Sequence, residues 1–124
     1  MQKIITAAAL ASALFLASAA AAQDVETSND LRCVAVFSVA ASEEADPDAT
    51  MAAGAGVFYF LGRIEGRAPG SDIESGLRLE VGKLNAPKFV SELKRCAAVL
   101  KSKAEELQAI GNSLQSMPAL GPDT

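Results

Sequence analysis

The chain has 124 residues, with 11 Lys+Arg against 15 Asp+Glu, and it contains neither His nor Trp. Without His it lacks the usual general base near neutral pH and the commonest metal ligand, so a Ser-His-Asp or Cys-His centre is excluded. No cofactor or metal is expected. A net charge of −4 with no dense basic cluster argues against nucleic acid.

The N-terminus has a secretory layout. Lys3 precedes an uncharged apolar run over 4–16, and small residues end it at Ala20-Ala21-Ala22. A positive n-region, a short h-region and an A-x-A exit predict a signal peptide over 1–22, cleaved after Ala22. A retained membrane anchor is the competing reading, but a span needs about 20 apolar residues and this run has 13. No Cys follows the small residues to take a lipid, and no second hydrophobic run approaches spanning length. The expected location is periplasmic or secreted, with no stable membrane span after cleavage. Losing Lys3 leaves ten basic against fifteen acidic side chains, a net −5.

The rest divides into a flexible segment over 23–29, one helical domain over 30–116 and a flexible tail over 117–124. Cys33 and Cys96 are an even pair in an exported chain and are read as one disulfide. Their separation rules out a C-x-x-C redox motif or a zinc knuckle. A free reactive thiol pair is the alternative.

The elements follow in order. Ser28, Asn29 or Asp30 caps a first helix over 31–41, where Cys33, Val36, Phe37 and Ala40 share one face. Glu43, Glu44, Asp46, Pro47 and Asp48 make a solvated turn without the spaced ligands and Gly of a calcium loop.

A second helix is predicted over 49–67, capped by Asp48. Its interior holds Phe58, Tyr59 and Phe60, three of the chain's six aromatics. A short strand over 57–60 is the alternative. Gly54 and Gly56 fail as a dinucleotide fingerprint, because the third Gly is misplaced and no βαβ unit follows. Gly62 and Gly66 lie four apart and share a face with Tyr59 and Ala55. That strip reads as tight helix packing or, functionally, as a groove with Phe58 and Tyr59 beside it and Arg63 and Arg67 at its rim. Such a groove suits an extended peptide or a small anionic ligand.

Ser71 and Glu74 form a capping box ahead of a third helix striped by Ile73, Leu77, Val81 and Leu84. A fourth begins where Asn85 or Ala86 leads into Pro87, which a first turn accepts. Leu93, Leu100, Leu107 and Leu114 recur every seven residues, with Phe89, Cys96, Lys103 and Ile110 in the second seam position. Lys103 interrupts that seam, which favours one long helix across a bundle over a self-dimerising coiled coil. A monomer or weak homodimer is expected. The fold class is thus all-α, a small disulfide-stapled four-helix bundle after a signal peptide, with first helix tied to last.

This layout of an exported, all-helical chain with one long-range disulfide resembles the periplasmic acid-stress chaperones of the HdeA/HdeB type. There a Cys in the first helix joins one in a later helix, as Cys33 and Cys96 would here. The likeness is of layout over about residues 30–100, and it does not extend to motifs around either cysteine. The helix Phe60-Leu61-Gly62-Arg63-Ile64-Glu65-Gly66 is also similar to that of small two-cysteine exported proteins, a likeness that carries no activity with it.

The chaperone resemblance implies that acid protonates Glu43, Glu44, Asp46 and Asp48, loosens the bundle and lets its apolar stripes bind unfolding clients. A non-enzymatic interaction protein with an unknown protein partner or client is therefore the leading expectation. The alternatives are a small-ligand carrier using the Gly62/Gly66 face and an enzyme. The enzyme is disfavoured because no catalytic acid pair sits on an apolar face.

Overall fold

Polypeptide over residues 6–118 is described in a computed structural model, with side chains described from residue 25 onward. The side chains of the predicted signal peptide over 1–22, and the last six residues of the predicted tail, lie outside the described residues. The described chain forms α1 (Thr6–Glu43), α2 (Pro47–Arg67), α3 (Ile73–Val81) and α4 (Ala86–Gln115), without a strand among the described residues.

α1 is the hub. Leu31, Cys33, Val34, Ala35, Val36 and Phe37 are all buried, so this stretch is covered on every side rather than along one stripe. α2, α3 and α4 each pack on α1 and scarcely on one another. Helix continues upstream of the expected start, because 25–29 are helical and lead directly into buried Asp30. Asn29 and Asp30 are not caps: their side chains accept from Arg32 and Arg67 instead.

α2 starts earlier than 49 because Asp46 is its N-cap, accepting from Asp48 N at 3.1 Å, and Pro47 occupies the first turn, where a missing N–H costs nothing. Glu44 Oε1 accepts from the amides of Ala45 and Asp46. The acids of the turn therefore organise backbone. The run over 57–60 is helical, not strand. Ala53, Gly56, Phe60 and Ile64 form the buried face, and the Phe60 ring stacks on Phe37 of α1 at 6.1 Å between centroids.

At Gly56 the Leu100 side chain of α4 comes close to the backbone of α2. A Cβ built there would lie 2.9 Å from Leu100 Cδ1 and 2.9 Å from Phe37 Cδ2. Only a glycine permits that approach without displacement. Gly70, at φ +76°, turns the chain into α3.

The cap of α3 is Asp72, not Ser71. Its carboxylate accepts from Ser75 N at 3.0 Å and from Ser75 Oγ at 2.8 Å. Ser71 Oγ donates back to Ala68 O, and Glu74 is occupied by Arg78. The two bonds from Ser75, the backbone one first, hold the Asp72 carboxyl below the usual carboxylate range.

Asn85 caps α4, accepting from Lys88 N at 2.9 Å. Cys96 is fully buried and bonded to Cys33, Cα to Cα 5.5 Å, so the staple joins α1 to α4 through the core. The seam is half-buried at Phe89, Leu93 and Leu100. Beyond that, Leu107, Ile110 and Leu114 are exposed. The long helix crosses the bundle only with its first half. No helix among the described residues is long and apolar enough to cross a membrane.

Candidate functional site

Two acids, Asp30 and Glu80, lie inside the bundle, and a third, Glu92, is half-buried at its edge. Asp30 of α1, Glu80 of α3 and Glu92 of α4 all stand on extensions of buried helix stripes, at positions where an apolar residue would pack. Cations from other helices meet each of them. Arg63 Nε and Arg67 Nη2 of α2 reach Asp30 Oδ2 at 3.1 and 2.5 Å. Arg32 of α1 places Nε 3.1 Å from Glu80 Oε2 and Nη1 3.6 Å from Glu92 Oε1. Lys83 completes Glu80 at 2.7 Å, and Arg95 completes Glu92 at 2.6 Å. Arg95 also donates to Asn29 O and lies against Cys33 Sγ at 3.3 Å. These pairs form an ionic clasp between the helices, and Arg95 brings it against the disulfide.

That clasp redistributes the residues expected to line one groove. Arg63 and Arg67 turn inward to Asp30, and Arg63 stacks over the Tyr59 and Phe60 rings at 5.8 and 5.6 Å. Tyr59 turns toward α4. Phe58, Gly62 and Gly66 face outward, where they share a surface with Met51 and Ala55. Gly62 and Gly66 have open space where a Cβ would stand. They do not serve tight packing within the described residues. Each therefore carries the helix penalty of an exposed glycine, up to about 1 kcal/mol relative to Ala, without an internal contact to offset it.

An open cleft of about 520 Å³ lies where Tyr59 faces α4, lined chiefly by Arg95, Val99, Ser102, Lys103 and Glu106. Its cations are already engaged. Arg95 holds Glu92, and Lys103 Nζ donates to Glu106. The hydrogen bond to Glu106 holds Lys103 above its ordinary value. Chemically, these surfaces offer binding area, a tyrosine hydroxyl and neutralised charge pairs.

The clasp was the part that sequence reasoning missed, although a signal existed. Ile73, Leu77 and Glu80 follow i, i+4, i+7, and Phe89, Glu92 and Cys96 follow i, i+3, i+7. An acid on a helix stripe of that spacing is a candidate for buried pairing. Comparison with protein-family models, with curated proteins and with solved structures finds no match.

Proposed function

We propose that the protein is an exported, non-enzymatic helical interaction protein that meets a protein partner through the outer face of α2. Protection of unfolding clients is the sharpest form of that role. The observation that carries this reading is Phe58, 76% exposed on a face that Ala55, Gly62 and Gly66 keep smooth. A large aromatic beside exposed glycines gives a partner both an anchor and close access to the helix backbone. Export is supported by the layout of residues 1–22 and by the Cys33–Cys96 bond, since disulfides persist where thiols oxidise.

The test uses the purified protein and Phe58→Ser, a change at an exposed position that leaves the core intact. Aggregation of an unfolding model enzyme is followed by light scattering at neutral pH and near pH 3. Suppression by the parent and its loss in Phe58→Ser support the client-binding form. No suppression at either pH removes it. A photocrosslinker at position 58 then tests the broader reading: adducts there, and none at exposed Lys94, are expected in the exporting cell. Equal yields at both positions sink it.

A second reading, a small-ligand carrier, is favoured by the Tyr59 cleft alone. Its volume falls within the range of small-molecule sites, about 300–1,000 Å³. Native mass spectrometry of protein recovered from its own cells decides this reading, because a carrier retains a bound mass and a partner-binding module does not.

A further inference from the structure

We infer that the Tyr59 cleft takes a small organic monocarboxylate, its carboxylate held at Lys103 and its apolar body laid over Val99 and Ala98. The inference rests on the ligand-carrier reading of that cleft and names the class of ligand.

Lys103 is the residue that the helical pattern leaves unexplained. It continues the α4 seam in which Phe89 and Cys96 pack on the core, and a lysine in such a seam costs stability. Its side chain is 37% exposed. It stands between Leu100, which still packs on the core, and Leu107, which is bare. There it lines the cleft with Tyr59 of α2 and with Arg95, Val99, Ser102 and Glu106 of its own helix. These five α4 residues fall at i, i+4, i+7, i+8 and i+11, on one face.

Charge and hydrogen-bonding capacity select the ligand. The walls carry two cations, Arg95 and Lys103, against one acid, Glu106, because the Glu92 that pairs with Arg95 does not line the cleft. One negative charge balances them. Unspent donors point the same way. Lys103 Nζ gives one hydrogen bond, to Glu106, where an ammonium has three to give. Ser38, Ser42 and Ser91 turn their hydroxyls back on carbonyls of their own helix. The hydroxyls of Ser102 and Tyr59, both on the cleft wall, have no protein partner among the described residues. A carboxylate accepts from all three groups and donates to none, and its charge strengthens each bond.

The rest of the molecule has an apolar bed. Arg95 begins about 12 Å back along the helix axis from Lys103, and the lining between them includes Ala98 and Val99. A cationic ligand would meet Arg95 and Lys103 with only Glu106 to receive it, and Lys103 already occupies that carboxylate. The cleft is open, so binding is weak, with a Kd on the order of 1 mM for a ligand the size of phenylacetate.

The test titrates the full chain with phenylacetate and, separately, with phenylacetamide near neutral pH, following backbone amides by nuclear magnetic resonance. Phenylacetate is expected to give saturable shifts at Tyr59, Val99, Ser102 and Lys103, and the neutral amide to bind about tenfold more weakly. Two substitutions should move the affinity in opposite directions. Lys103→Gln removes the cation and should weaken phenylacetate binding about tenfold. Glu106→Gln removes the competing carboxylate, frees Lys103 and should tighten binding about threefold. A merely structural role for the pair would move both the same way. Equal affinities for acid and amide overturn the monocarboxylate while leaving a ligand site in the cleft. No saturable shift from either compound up to about 20 mM overturns the inference and the carrier reading together. Unchanged or same-direction effects of the two substitutions overturn the role of Lys103.

Discussion

Arg32 of α1 and Glu80 of α3 meet at 3.1 Å, and Glu80 is only 1% exposed. Because Arg32 also reaches Glu92, one guanidinium joins three helices. Breaking a buried pair from one side is costly because it strands a charge, whereas replacing both partners by apolar groups is often neutral. Arg32→Met should cost about 2–4 kcal/mol, tempered by Lys83, which stays with Glu80. The double variant Arg32→Met, Glu80→Leu should recover part of that loss. Urea denaturation of the two singles and the double measures the coupling, and additive losses would contradict the clasp.

Cys33→Ser with Cys96→Ser removes a tie across 63 positions. On the chain-entropy estimate this lowers stability by about 4 kcal/mol, comparable to the whole net stability of a small domain. The midpoint of denaturation should fall accordingly. An unchanged midpoint would show that the ion pairs alone hold α4 to α1.

The glycines of α2 should separate by sign. Gly56→Ala drives a methyl to 2.9 Å from Leu100 and Phe37 and should destabilise by about 1–3 kcal/mol. Gly62→Ala and Gly66→Ala meet open space and should stabilise by up to about 1 kcal/mol each. Thermal midpoints read both. If the outer α2 face receives a partner's backbone, the two stabilised variants should also bind that partner less well.

Acid should release the α3 cap. The folded-state value of Asp72 is lowered from 3.8 by its bonds from Ser75. A group depressed on folding contributes stability that is present above its unfolded value and lost as pH falls through its folded value. Asp72→Ala should therefore lower the thermal midpoint at neutral pH, and the difference from the parent should shrink below about pH 4. A difference that stays constant down to pH 2 would assign the cap to something other than the carboxylate.

Much of the scaffold could be read because its signals are local. Asn85 ahead of Pro87 marks a helix start, and two cysteines on buried stripes mark a staple. Where two neighbouring residues could do one job, the reading slipped by a position or two: Asp72 over Ser71, Asp46 over Asp48. Tertiary partners decided the rest. Nothing local says that Arg63 and Arg67 turn from a groove rim to Asp30, thirty-three and thirty-seven positions upstream. The leucine repeat was equally ambiguous, since a heptad specifies an apolar seam without saying where its covering ends. The structure covers it at Leu100 and leaves it bare at Leu107.

Because α2, α3 and α4 lean on α1 rather than on one another, their departures need not be coupled. α4 is bolted in place by a covalent bond and α2 by the aromatic stack, whereas α3 is short and is held without either, by Ile73 and Leu77 on the core, Leu31 against Gly76 and Glu80 on Arg32. It is the spoke that can swing away while the axle stays whole, baring Leu31 and leaving Arg32 to Glu92 and Asn29. Amide hydrogens of α3 should accordingly trade with solvent well before those of the hub.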